Sequence, residues 1–186
     1  PFWATTDFDV PIELWRERIG SAAKKAILAP GAEILVRAYP AAKPIETDLT
    51  STRGFAAAAW QRGADSIYLF NYMDPGPMTG GKDAYRTLLE EGLSLKTVTR
   101  KPRRHVVTCR DTVAPGMSCD VVLPVDGFKG GTFRIYSGPK PKSADVFVVA
   151  GLAQSDGLAL SRFAISTNGK KCNPAADLTD LSLFSG

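Results

Sequence analysis

The sequence is poor in the residues that bind metals and move protons: it has one histidine, His105, and three cysteines in 186 residues. No CxxC pair and no Cys/His cluster occurs, which argues against a structural zinc site. A Ser/His/Asp triad would have to draw on His105, which sits in a basic segment away from any serine-containing elbow. No apolar run approaches the roughly 20 residues that a membrane-spanning helix needs. The glycine-rich stretch GPMTGGKD lacks the phosphate-loop form GxxxxGK[ST], because Asp83 follows Lys82. The residues therefore call for no cofactor, no metal and no membrane partner.

Three cysteines cannot all pair with one another. Cys109 and Cys119 flank the turn-rich DTVAPGMS and could face each other across a hairpin, leaving Cys172 free or partnered elsewhere. The chain opens on Pro1, in the middle of what reads as an element, so the expectation is a processed or truncated piece. Net charge is +4 and the pI about 9.0. Much of the excess lies in Lys96, Arg100, Lys101, Arg103 and Arg104. Such a run is either a patch for an anionic polymer or a solvated interdomain linker. No aromatic residue interleaves with it, as a single-strand binding surface requires, so the linker is preferred and nucleic acid is not expected as a partner.

The most informative stretch is ADSIYLFNYMD, residues 64–74. Gly63 before it can close a helix in the left-handed conformation. Ile67, Tyr68, Leu69 and Phe70 form a short apolar run of the kind found in a strand buried on both faces. A polar end at Asn71, Tyr72 and Asp74 leads into a Gly/Pro loop and then a helical segment. Helices are expected from Pro11 through Ile19, from Thr50 or Ser51 to Arg62 with a face of Phe55, Ala56, Ala59 and Trp60, and over 83–93. Trp15 and Trp60 are expected in the core, as are Leu88 and Leu89. A second strand is expected over ILVRAY, residues 34–39. After Arg104 the helical periodicity disappears and short β-rich runs recur between turns, with Asn168-Gly169 the strongest hairpin signal. That spacing predicts an antiparallel β-sandwich with Val106, Val122, Phe133, Val148 and Phe163 in its core.

PFWATTDFD, the strand ending in RAYP, the helix TSTRGFAAAAWQRGAD and IYLFNYMD together resemble the closing part of a (β/α)8 barrel. The resemblance is to bacterial glycosyl hydrolases with an appended β-domain. It implies α/β followed by all-β: residues 1–98 as the C-terminal portion of a TIM-type barrel, 99–104 as a basic linker and 105–186 as an accessory sandwich. Residues 34–38 and 66–70 would then be parallel neighbours. The remainder of the barrel would lie on a separate chain or be lost. The implied function is glycoside hydrolysis of an oligo- or polysaccharide, or noncatalytic glycan binding on a degenerate barrel. An extracellular or periplasmic location accompanies that expectation.

Glycoside hydrolysis usually needs two carboxyl groups flanking the scissile bond, and barrels place them at strand carboxyl ends. The candidates are Asp7, Asp9 and Asp74, with Glu46 and Asp48 in a loop. Glu33 precedes its expected strand and is assigned to the stability face. Arg37, Asn71, Trp3, Tyr39 and Tyr72 are the candidate ligand contacts, the guanidinium and amide for polar groups and the rings for stacking. Arg37 equally suits a structural ion pair.

Overall fold

The computed structural model describes residues 6–36, 43–73, 76, 78–107, 130–139, 143, 145–149 and 164–175. The chain divides into two compact units, Pro1–Lys142 and Ser143–Gly186.

In the first unit, Pro11 precedes helix α1 (Ile12–Ile19), which runs on into a 3-10 turn, Gly20–Lys24. Strand β1 (Gly31–Glu33) is followed after one residue by β2 (Leu35–Val36), which pairs antiparallel with β3 (Ile45–Glu46). Helix α2 (Leu49–Gln61) comes next, then β4 (Tyr68–Phe70), α3 (Gly81–Glu91) and the single turn α4 (Leu95–Val98). β1 and β4 are parallel neighbours in the register Gly31↔Tyr68, Ala32↔Leu69, Glu33↔Phe70. The expected parallel pairing of residues 34–38 with 66–70 is not what forms: β4 pairs with Gly31–Glu33 instead, and Leu35–Val36 runs antiparallel to β3.

Helix α2 is the spine of this unit. Asp48 is its N-cap: the carboxylate accepts from the Ser51 amide at 2.6 Å, satisfying a donor that the first turn leaves free. Neither Thr50 nor Ser51 is the cap, because each already lies inside the helix. Four consecutive alanines favour the helical state, and Gly63 beyond the end takes φ +89°. Every residue from Ser51 to Ala59 is buried. Phe55 joins Phe8, Ala32, Ile34, Tyr72, Met78 and Leu88 in the main core, with Phe8 and Phe55 edge to face at 6.2 Å. Ala56 and Ala57 pack with Val98 in a second cluster, flanked by Trp60, whose indole N–H donates to the Leu93 carbonyl at 2.7 Å. Burying a side chain the size of Phe55 or Leu88 contributes about 2–3 kcal/mol. Trp15 and Leu89, expected in the core, are 44% and 57% exposed.

Neither the expected barrel nor the expected sandwich is present among the described residues. Among the described residues there are four short helices and three separate two-stranded sheets, none closed. For the barrel, the physical reason lies at Ile34. Its amide is taken by the Glu33 side chain at 2.8 Å, so the parallel ladder stops after three residues. The chain then turns into the β2–β3 pair, and the Ile34 carbonyl accepts from Thr47 N at 2.7 Å. Of the predicted sandwich core, Val106 packs instead on the first unit's core, while Phe133 and Val148 are 39% and 48% exposed. Val122 and Phe163 lie outside the described residues, as do Cys109 and Cys119. In the second unit the described secondary structure is one hairpin, β5 (Ser166–Thr167) with β6 (Lys170–Lys171), turning at Asn168-Gly169 as the dipeptide signals. The Cys172 thiol is free and sits 3.4 Å from the Thr167 hydroxyl.

The basic run is anchored. Arg104 N donates to the Thr50 carbonyl at 2.9 Å, and its guanidinium reaches Asp48 at 2.9 Å. Arg103 donates to the carbonyls of Val98, Ser137 and Pro139 at 2.8–3.2 Å. Glu91 receives Arg53 of α2 and, at 3.3 Å, Lys101. Burial opposes ionisation of Glu91, and the two cations outweigh it, holding the carboxyl below its ordinary value. This strap crosses α2 at Gly54, where a β-carbon would overlap the Arg104 carbonyl oxygen and stand 2.6 Å from its carbon. Gly54→Ala should therefore cost at least about 2 kcal/mol, because backbone must move to admit the methyl group. Urea denaturation of the variant checks this; a loss under about 0.5 kcal/mol would mean that the strap does not seat on the helix as described.

Candidate functional site

The carboxyl ends of β1 and β4 meet side by side, and Glu33 is the polar centre there. Its carboxylate accepts from the Asn71 amide at 2.9 and 3.1 Å and from the Ile34 amide, while its backbone carbonyl accepts from the Thr6 hydroxyl at 2.6 Å. Glu33 is only 7% exposed. No described cation is paired with it. A carboxylate removed from water without a counter-charge is costly unless several donors converge on it, which is what Asn71 and Ile34 supply. Since both carboxylate oxygens accept from the same Asn71 nitrogen, that atom must be the amide NH2.

Asn71 holds φ +61°, a left-handed backbone that asparagine tolerates better than most residues. That conformation takes the chain off the end of β4 and brings the amide onto Glu33. Tyr72, the next residue, turns inward and is 5% exposed. The Thr52 hydroxyl donates to the Asp48 carbonyl at 3.0 Å, so its contact with the Tyr72 hydroxyl at 3.1 Å has the phenol as donor. Burial raises the Tyr72 phenol to about 12, with the Glu33 and Asp48 carboxylates adding to the shift. Tyr85 in turn donates its hydroxyl to the Tyr72 carbonyl.

Of Asn71 and Tyr72, both predicted as contacts, Asn71 meets the buried Glu33 and Tyr72 bonds the Thr52 hydroxyl nearby. Tyr72 is a core residue rather than an exposed stacking face. Asp7 accepts from the Asp9 amide at 2.8 Å in a tight local turn, just after the Thr6 that bonds Glu33. Asp9 is engaged by Arg62, which also donates to Glu13 at 2.9 Å and lies 4.4 Å over the Tyr136 ring. The hydrogen bond from Arg62 holds the Glu13 carboxyl below its ordinary value. Asp48 serves as helix cap and ion-pair partner. Trp3, Arg37, Tyr39 and Asp74 lie outside the described residues. Glu33 is the residue that the sequence reading assigned to the wrong end of its strand. No local signal marked that end, because β1 stops where the Glu33 side chain takes the Ile34 amide.

Two substitutions test this arrangement. Asn71→Ala removes the donor on a buried carboxylate and leaves a left-handed residue without its side-chain bond, and should cost about 2–3 kcal/mol in chemical denaturation. A cost within experimental error would mean that Glu33 is otherwise satisfied. Tyr72 binds its proton more tightly folded than unfolded, so its contribution is intact below about pH 10 and is lost as pH rises from 10 toward 12. Tyr72→Phe should abolish that part of the alkaline stability loss; an unchanged pH profile would remove Tyr72 as its origin.

Compared with protein-family models and with curated proteins, the sequence matches none. Together with the separate two-stranded sheets among the described residues, this overturns the glycosyl-hydrolase resemblance and the fold and activity it implied. A glycosidase mechanism built on carboxylates around a barrel mouth has no barrel here to stand on, and the glycan-binding alternative on a degenerate barrel falls with it.

Proposed function

We propose that this chain binds a small organic amine, with the Glu33 carboxylate as the counter-charge for the ligand's ammonium group. One observation carries this reading: Glu33 is a buried carboxylate whose described partners are neutral donors, Asn71 and Ile34. A buried charge is normally paired with an opposite one, and an incoming cation meets that need. Oε1 already takes two donors, whereas Oε2 takes only the Asn71 amide and retains a lone pair for a ligand N–H. Asn71 is exposed and its amide lies over the carboxylate, so a ligand approaching there meets the Asn71 side-chain oxygen as a second acceptor for an ammonium group. Met73, 87% exposed two residues along, offers apolar surface to the ligand's carbon frame. The left-handed Asn71 fits this role, since unusual backbone conformations concentrate at binding sites.

Thermal-shift titration at low salt with n-butylamine, arginine and tetramethylammonium tests the reading. Butylammonium, a compact N–H donor, should raise the melting temperature of the wild type, corresponding to about 1.4 kcal/mol at ten times Kd. Tetramethylammonium, which has no N–H, should not. Glu33→Gln should abolish the butylammonium shift. If neither butylamine nor arginine shifts the wild type, or if Glu33→Gln responds equally, the amine site is wrong.

A further inference from the structure

We propose that residues 103–107 form a latch over α2 that opens on acidification, with His105 as its proton sensor. The latch is built by close approach rather than by bulk. Gly54 lets the Arg104 carbonyl lie directly on the helix, Arg104 N donates to the Thr50 carbonyl at 2.9 Å, and Val106 packs on the main core. Between these anchors sits His105, the one histidine of the chain. Both of its ring nitrogens are shut off from solvent and have no hydrogen-bond partner among the described residues.

A neutral imidazole tolerates that enclosure better than a charged one. Protonation would place a full charge and two N–H donors where nothing accepts them. The neighbouring cation is Arg103, and its hydrogen bonds go to three backbone carbonyls rather than to a carboxylate, so its charge opposes a second one beside it. The other charged groups around the strap are already committed. On α2, Arg53 turns to Glu91 of α3, which also takes Lys101, and Asp48 at the head of α2 takes Arg104. Burial, with Arg103 behind it, accordingly lowers His105 to about 4 from its ordinary value near 6.5. An open latch exposes the imidazole and restores ordinary proton affinity. The closed form therefore loses ground as pH falls from 6.5 toward 4, and is fully favoured above 6.5. Opening uncovers the α2 surface around Thr50 and Gly54 and withdraws Val106 from the core.

Amide hydrogen exchange, normalised for the intrinsic effect of pH, reads the latch directly at the Arg104 N–H. Protection of that amide in the wild type should fall on the order of a hundredfold between pH 7 and pH 4. The amides of Ala57 and Ala58 inside α2 should stay protected over the same range. His105→Gln and His105→Leu should each remove most of the fall at Arg104, while any part due to protonation of Glu91 persists in both variants. The proposal is overturned if wild-type protection at Arg104 does not change with pH. It is equally overturned if both folded variants lose as much as the wild type, or if the α2 amides lose protection together with Arg104, which would be global unfolding rather than release of a latch.

Discussion

The first unit depends on how closely other chain segments approach one helix. Helix α2 carries a glycine and four alanines between Arg53 and Trp60, so its surface has little side-chain relief. Backbone can therefore come near it: β1 on one side, α3 and α4 on others, and the Arg104 carbonyl directly against Gly54. Close approach trades large side-chain contacts for many small ones, and dispersion falls off steeply with any gap. A methyl group at the wrong place on such a face costs more than its volume suggests, because the neighbour is backbone and cannot rotate away.

The polar groups are arranged around that same helix. Asp48 caps it, receives Arg104 and stands near the buried Tyr72, linking helix start, strap and strand end in one network. Arg53 leaves the helix to meet Glu91, and Arg62 at the far end gathers Asp9 and Glu13 under the Tyr136 ring. The arginines are thus mostly spent on joining elements within the unit, which explains why a run that looks like a polyanion surface is largely engaged internally. Glu33 is the exception in sign: a carboxylate held by amides alone among the described residues. This imbalance sets the end of the β1–β4 pair apart from the unit's other joints, where a carboxylate meets a cation.

Legibility differed by element. Helices α1, α2 and α3 were readable because their signals are local: apolar spacing, the alanine run, and the glycines at 63 and 92 that close α2 and α3; the single turn α4 was not expected. The hairpin at Asn168-Gly169 was readable for the same reason. At the candidate site, Asn71 and Tyr72 were legible as the polar end of an apolar run. Glu33 was not, because its place depends on where β1 stops, and that is decided by its own side chain competing for the Ile34 amide. The barrel reading failed at this point as well. A strand pattern shows that residues can extend; it does not show how many of them find a partner.

By itself the sequence determined local states: the bodies of α1, α2 and α3, and where glycine must turn the chain. Tertiary structure decided the rest. It chose a three-residue ladder over a closed sheet, Asp48 over Thr50 or Ser51 as the cap of α2, and an anchored strap over a solvated one. Each of these turns on a contact between residues far apart in the chain, such as Arg104 with Asp48 or Asn71 with Glu33. Composition and periodicity carry no record of such pairs, because their energy arises only when folding has brought the partners together and excluded water from between them.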